Sequence, residues 1–444
     1  MLAGWLVAAG AAAQTPDPGN LTARAAVAMA LEHNRDLQRA QQETRRAEYR
    51  ITEARAGALP QLNGSWSFDR TLKPNVFVIS FPDSNGVVRK SRLKMGTDYS
   101  SSLGAQLVQP LYVGGKVGTA LEAARIYRTS AARTEELVRQ NVVLETLQAF
   151  NGALLARQLA QIARASLAQA ERHLANVEVR QRAGAATDYD LLRARVNAAN
   201  LQPRLIEAEN NVRVSLLHLK QAMGVDPEAP AGVEGTLAAP DTTVLQQAQS
   251  AVALQRRPDV AVSRLTIELQ RKAVRIARGD YLPTLSASST LAYNGSFDEL
   301  GYRGEEWSTF WTAGLSLTVP LFTGFRTSAR YQQARVDLRQ AQTDFEKTRD
   351  AAVIEVQQAV MGFRKALRQI ESQGLNVDEA QRAVEIAESL YANGRATQLE
   401  VLDAQLALQV ARTNMASALH EGTVSDIILR KALGLLEAGA NGEE

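Results

Sequence analysis

The chain has 444 residues, 22% of them charged, and its 50 Lys and Arg against 47 Asp and Glu leave a formal net charge of +3. The two signs are interspersed, which argues against the basic stripe that nucleic-acid binding needs. There is no cysteine, and His33, His173, His218 and His420 show no HxxxH or HExxH spacing, so disulfides, a lipidated N-terminal cysteine and a resident metal or other cofactor are not expected.

In chain order, residues 1–13 (MLAGWLVAAGAAA) carry no charged side chain, and Ala11-Ala12-Ala13 fits a small-residue cleavage site before Gln14. The stretch reads as the remnant of a secretory signal. A helix follows from about His33 to Ala58, then a strand pair over 61–112. No proline lies between Pro110 and Pro203, and none follows Pro320, which leaves room for long helices at about Lys116 to Arg182 and Thr327 to Ala392. Each is about 100 Å long at 1.5 Å per residue. Leu167, Ala170, Leu174 and Val177 repeat with 3-4-3 spacing, as do Val377, Ala380, Val384 and Ala387; small knobs at that spacing predict coiled-coil packing. Gly184 and Gly394 read as the glycines that stop these helices. Thr187 and Thr397 then read as N-caps of the next two helices, about Asp188 to Met223 and Gln398 to Leu433, with Asp190 and Glu400 in capping-box position.

These elements come in two copies. Ala30-Leu31, Asp36, Ala54-Arg55 and Leu59-Pro60 recur at one offset, 282 − 59 = 223, as Ala253-Leu254, Asp259, Ala277-Arg278 and Leu282-Pro283. Pro110-Leu111, Gly184, Thr187, Leu192, Ala194 and Gly224 recur at a second, 320 − 110 = 210. The change, 223 − 210 = 13 residues, places an insertion at the tip of the first strand pair. A fixed offset this long indicates a duplicated domain rather than a solenoid. The expected organisation is repeat 1 at 21–225 (strand pair 61–112, helices 116–223), a Pro/Gly-rich linker at 226–243, repeat 2 at 244–435 (strand pair 284–322, helices 327–433) and a flexible tail at 436–444. The shorter helices of a half, about 39 and 54 Å, stack to nearly the length of the long one, so the linker is expected in an equatorial region.

The strands alternate with period 2. Leu62, Trp66 and Phe68 alternate with Asn63, Ser65 and Ser67; Leu103, Ala105 and Leu107 with Ser102, Gly104 and Gln106. Leu285, Ala287 and Leu291 alternate with Ser286, Ser288 and Thr290; Trp311, Ala313, Leu315 and Leu317 with Thr312, Gly314, Ser316 and Thr318. Fourteen of the 24 aromatic residues lie within 61–112 and 284–325, so the apolar face is expected to carry aromatic girdles, as a membrane barrel does. Four strands cannot close a barrel, since the smallest have about eight. Further copies must complete it, two giving eight strands and three giving twelve.

The two turns read Gly184-Ala-Ala-Thr187-Asp-Tyr-Asp190-Leu-Leu192-Arg-Ala194 and Gly394-Arg-Ala-Thr397-Gln-Leu-Glu400-Val-Leu402-Asp-Ala404. The strand-to-helix junctions read Gln109-Pro110-Leu111-Tyr112-Val113-Gly114-Gly115 and Val319-Pro320-Leu321-Phe322-Thr323-Gly324. With the duplication, these motifs resemble the TolC-type outer membrane efflux protein family (outer membrane factors), and the resemblance covers essentially the whole mature chain. It implies an α+β membrane protein: a homotrimer whose 12-stranded β-barrel, four strands per chain, sits in outer membrane lipid and continues into a long α-helical coiled-coil tunnel across the Gram-negative periplasm. It implies a duct, not an enzyme, partnered by a periplasmic adaptor (membrane fusion) protein and an inner-membrane RND or ABC pump.

The resemblance also assigns residues. Asp190 and Tyr391 match an aspartate–tyrosine hydrogen bond that holds the tip closed. Glu400 and Asp403 match the acidic rings of the pore. Gly184, Thr187, Gly394, Arg395 and Thr397 fall at the adaptor-facing tip. An arginine usual at the second turn is replaced by Ala396, with Arg395 beside it, so an altered gate is expected. A type I protein secretion duct is the alternative within the family. A non-porous periplasmic tether is a third reading, disfavoured because a tether has no need of two-faced strands. No nucleophile elbow, phosphate loop or metal cluster is present to suggest an enzyme.

Overall fold

A computed structural model describes residues 21–82, 86, 88–299 and 307–436. The expected signal remnant lies outside the described residues. So does the expected tail apart from Leu436, which is buried among Val27, Val143, Leu147 and Ile427. The chain divides into two units, Met1–Thr44 with Ser130–Arg264 and Asp344–Glu444, and Arg45–Thr129 with Leu265–Thr343.

The second unit holds the strands. β1 (Gln61–Arg70), β4 (Tyr99–Val113), β5 (Thr284–Phe297) and β6 (Trp307–Thr318) form one antiparallel sheet in the order β1-β4-β5-β6. The register places the alternation on common faces. Leu62 pairs with Leu107, and Trp66 with Leu103; Leu103 then pairs with Tyr293, and Leu291 with Trp311. On the other face Ser65 pairs with Gly104, Gln106 with Thr290 and Ser288 with Gly314. One side is therefore apolar and the other small and polar. At one end of the apolar side Phe68, Tyr99 and Phe297 stack with centroids 6.0–6.4 Å apart, and Trp307 lies 4.7 Å from Tyr293. At the other end Phe322 and Phe325 meet edge to face at 5.7 Å. Among the described residues neither β1 nor β6 has a partner on its outer edge.

The insertion inferred from the offset change is a structure of its own. β2 (Asn75–Pro82) and β3 (Val88–Met95) pair as a separate two-stranded ribbon. Sequence alternation identifies β1 and β4 but not this ribbon, because β2 runs apolar on both faces from Val76 to Ile79 and β3 carries Arg89, Lys90 and Arg92 within four residues. The second strand pair also stops at Thr318, short of Phe322.

The helical unit carries the core. The helix expected from His33 to Ala58 is two helices, α1 (Ala23–His33) and α2 (Arg35–Ala56). Asn34 breaks them: its backbone is extended, its Oδ1 accepts from the backbone N of Asp36 (2.9 Å) and Leu37 (3.3 Å), and its Nδ2 donates to Ala222 O (3.0 Å). An asparagine that caps one helix while satisfying the end of another fixes where the two meet. α3 (Lys116–Arg182) and α4 (Asp188–Met223) follow. Gly224 closes α4 at φ +72°, and a Cβ there would lie 2.7 Å from His33 O, so only glycine lets this turn sit against the break. α5 (Ser250–Arg256), α6 (Pro258–Gly279), α7 (Arg326–Ala392) and α8 (Gln398–Ala432) complete the chain.

Phe150, Leu219 and Met223 are buried with Ala26, Ala30 and Leu37 in one cluster; Phe363, Val356, Leu429 and Leu433 form a second. Arg257, between α5 and α6, donates to Asp259 (2.7 Å), Glu355 (2.6 Å) and Ala432 O (3.3 Å). Among the described residues no helix is long and apolar enough to cross a membrane.

Candidate functional site at the helical turns

The helical unit contains both turns. α3 ends in a Schellman motif, with Gly184 N donating to Gln181 O (3.0 Å) and Ala185 N to Arg180 O (2.8 Å). α7 ends identically, with Gly394 N donating to Tyr391 O (3.0 Å) and Arg395 N to Leu390 O (2.8 Å). Each next helix starts with a complete capping box. Thr187 N donates to Asp190 Oδ2 (3.0 Å) and Asp190 N to Thr187 Oγ1 (3.1 Å). Thr397 N donates to Glu400 Oε2 (2.8 Å) and Glu400 N to Thr397 Oγ1 (3.4 Å). Gly184, Thr187, Gly394, Arg395 and Thr397 are all exposed. They form two tight reversals whose shape is fixed by the Schellman bonds and the capping boxes, with their backbone and the Arg395 side chain turned to solvent.

The turns are joined to each other. Gln398 Nε2 donates to Asp190 O (3.1 Å). Arg180 Nη1 donates to Tyr391 O (3.1 Å) and Ala392 O (3.3 Å), and its guanidinium lies 4.7 Å from the centre of the Tyr391 ring. α7 has no basic residue in its own last turn; Arg180 supplies that charge from the neighbouring helix, where it meets both the exposed carbonyls and the ring face. The His173 ring also lies 5.6 Å from the Tyr391 ring. Burial pushes the His173 imidazole below its ordinary value, with Glu388 opposing. Burial likewise raises the Tyr391 phenol, against the pull of Arg180. Glu388 Oε1 accepts from Gln169 (3.1 Å) and Gln405 (2.9 Å). These side chains line a groove of about 520 Å³.

The structure brings Asp190 and Tyr391 into one electrostatic neighbourhood, since the carboxylate raises the phenol's pKa. Within this single chain they are not hydrogen-bonded. Asp190 Oδ2 accepts from Thr187 Oγ1 (2.7 Å) as well as from Thr187 N, and these bonds hold its carboxyl below the usual carboxylate range. Tyr391 is held through its ring and its carbonyl by Arg180. Glu400 is likewise engaged at its cap, while Asp403, one helical turn on, is exposed at a second groove beside Arg193 and Arg204. Sequence reading missed Arg180, His173 and Gln398. Arg180 stands in the last turn of α3, where a basic residue reads as a partner for its own helix end. Only the packing of α3 against α7 reassigns it.

Among the described residues no group of His, Asp or Glu side chains could hold a metal ion. The sequence family described as outer membrane efflux protein matches residues 26–225 and 250–435. The chain is 27% identical over 427 residues to the alkaline protease secretion protein AprF of Pseudomonas aeruginosa, covering 92% of this chain and 83% of that one. It is 25% identical over 423 residues to the cation efflux system protein CusC of Escherichia coli K12, covering 92% and 85%. Its fold is similar to the outer membrane channel CmeC of Campylobacter jejuni, with a TM-score of 0.78 at 20% identity over 94% of this chain and 87% of that one.

Proposed function

The chain belongs to the outer membrane efflux protein family, and from that premise we propose that it is an exit duct: three copies close a 12-stranded barrel in the outer membrane, and their helices enclose a passage from the periplasm to the exterior. The observation that carries this reading is the open sheet. It has one apolar face, one small polar face and, among the described residues, two unpaired edges. Trp66 and Trp311 are 71% and 75% exposed in the single chain. An open edge strand is an aggregation liability, and closure through further copies removes it. The apolar face then meets lipid and the polar face the lumen.

In this reading the two turns form the periplasmic end, with Gly184, Thr187, Gly394, Arg395 and Thr397 facing an adaptor protein that links the duct to an inner-membrane RND or ABC pump. Asp190 and Tyr391 belong to the gate. Glu400 serves both its helix cap and, with Asp403, an acidic lining. The pump supplies energy and the duct supplies a path, so no catalytic group is required. The cargo is small molecules. Protein secretion by a type I system is the second reading, favoured by the similarity to a protein named for protease secretion.

Single-channel recording in planar bilayers tests the proposal. The duct predicts discrete conductance steps with cation selectivity, since confined carboxylates favour counter-ions. Replacing Glu400 and Asp403 together by Ala weakens that selectivity. An absence of steps contradicts the duct, and unchanged selectivity in the double variant removes these two residues from the lining.

A further inference from the structure

The β2–β3 ribbon lies at the tip of the first strand pair, where the first half of the sequence carries 13 residues more than the second, and its charge is one-sided. Residues 71–97 carry Lys73, Arg89, Lys90, Arg92 and Lys94 against Asp83 alone, a net charge of 5 − 1 = +4. In the ladder Ser80 faces Lys90, Val78 faces Arg92 and Val76 faces Lys94, so three cations share one face of the ribbon. Phe77 and Leu93 face each other on the opposite side.

The cations differ in what holds them. Lys94 is tied at the ribbon's base to Asp98 (2.7 Å) and Asp298 (2.8 Å), and Asp298 also accepts from Asp98 N (3.1 Å). This joint fixes the ribbon to the ends of β4 and β5. Lys90 and Arg92 lie farther out, are exposed, and have no carboxylate partner among the described residues. Like charges two residues apart on one strand face repel unless an anion lies between them.

Their height is the second observation. The Phe68, Tyr99 and Phe297 stack lies at the same end of the sheet, on its apolar face. Aromatic girdles of this kind mark where hydrocarbon gives way to headgroups. β3 ends at Met95, four residues before Tyr99, and its Lys94 is tied to Asp298, the residue after Phe297; at about 3.4 Å per residue Arg92 lies up to about 7 Å and Lys90 up to about 14 Å farther along the ribbon. The headgroup layer is itself about 5–7 Å thick on each side of the hydrocarbon. Lys90 and Arg92 therefore stand at or just beyond headgroup level, with three copies around the rim.

We infer that the β2–β3 ribbon binds the phosphate groups of the anionic glycolipid in the outer leaflet, using Arg92 as a bidentate partner and Lys90 as a point charge. The inference rests on the outer-membrane duct reading, which puts this end of the sheet at the cell surface. It gives the 13-residue insertion a role: anchoring and orienting the barrel rim in a leaflet whose headgroups are negatively charged.

The test uses full-length protein in neutral detergent, with bis-phosphorylated lipid A and its dephosphorylated counterpart as probes and native mass spectrometry as the readout. Wild type is expected to retain the phosphorylated lipid at least about tenfold more strongly than the dephosphorylated one, and Lys90→Glu with Arg92→Glu is expected to abolish the difference, given that each basic residue near an anionic surface contributes about fivefold. Both residues are exposed, so the double variant keeps its helical signal and its conductance steps. Equal retention of the two lipids, or unchanged retention by the double variant, overturns the inference, as does displacement of the lipid by an equal concentration of heparin, which would mark an unspecific polyanion surface. Conductance steps present in wild type alongside any of these results leave the duct intact and sink only the lipid site; steps absent in wild type sink the duct itself.

Discussion

The helical unit and the strand unit bury apolar side chains on different terms. In the first, Phe363, Leu219, Met223 and Leu429 are fully enclosed by their own chain. In the second, Leu62, Trp66, Trp311, Leu315 and Leu317 lie open along an ordered sheet. The large rings differ most, with Phe363 at 0% exposure and Trp311 at 75%. Helices that carry a core can form their tertiary structure within one chain. A sheet with an apolar face, a polar face and two open edges has its hydrogen-bonded ladder but not its surroundings. One chain therefore contains both a helical core closed on itself and a sheet whose apolar face stays open.

The largest effect that would sharpen this contrast is truncation of the two rings. Phe363→Ala leaves a cavity inside a packed cluster and should cost about 3–5 kcal/mol, read as a lower thermal midpoint of the helical circular-dichroism signal in detergent. Trp311→Ala should barely move that midpoint, yet lower the temperature at which the oligomer dissociates. Equal effects of the two substitutions on the helical melt would erase the distinction between the units.

A smaller effect comes from the ionic clasp between α5 and α6. Arg257 bonds Asp259, Glu355 and a main-chain carbonyl, and losing these charge-assisted bonds should cost about 1.5–3 kcal/mol in Arg257→Leu. The pH dependence has a definite sign. Burial alone would raise the Asp259 carboxyl, but the hydrogen bonds and charge of Arg257 outweigh it and hold the carboxyl below its ordinary value. A depressed carboxyl contributes stability that is fully present above its unfolded pKa of about 4 and is lost as pH falls through the lower folded value. Melts from pH 7 down to pH 2.5 should show that loss below about pH 4 in wild type, and a shallower loss in Asp259→Asn. Parallel curves would show that the clasp does not carry it.

The smallest effect on stability, and the one that tests the proposed gate, lies at the helical turns. Arg180→Gln removes two bonds to the end of α7 and the charge over Tyr391, whereas Tyr391→Phe keeps the ring and removes only the hydroxyl. Both should raise resting open probability in single-channel records. Arg180→Gln should do so more, by about tenfold if about 1.4 kcal/mol of closed-state bias is lost. A wild-type resting level in both variants would place the gate elsewhere.

Much of the architecture is legible in the sequence, and the reasons are local. Pro-free runs bounded by Gly184 and Gly394 gave helix limits within a residue of α3 and α7, and Thr187-x-x-Asp190 and Thr397-x-x-Glu400 announced capping boxes that are both present. Period 2 identified the sheet strands, because a two-faced sheet repeats every second residue wherever it lies. What was not legible depends on neighbours distant in sequence. The break at Asn34 is set by Ala222, 188 residues away. The ribbon has no period-2 signal, since β2 is apolar on both faces and β3 crowds its basic residues together. Arg180 acts on a carbonyl 211 residues away. The acidic and aromatic positions at the tip could be named from family resemblance, but resemblance carries no information about which hydrogen bonds this chain's own side chains prefer.

Closure of the open four-stranded sheet by other copies of the same chain fixes the oligomeric mass. Multi-angle light scattering of the detergent-extracted protein, corrected for bound detergent, should give three protomers, each no heavier than the 48.2 kDa of the full chain, in an assembly that resists dissociation until heated. A stable monomer that stays soluble without detergent would contradict the account, because the apolar face and both strand edges would then tolerate water unaided.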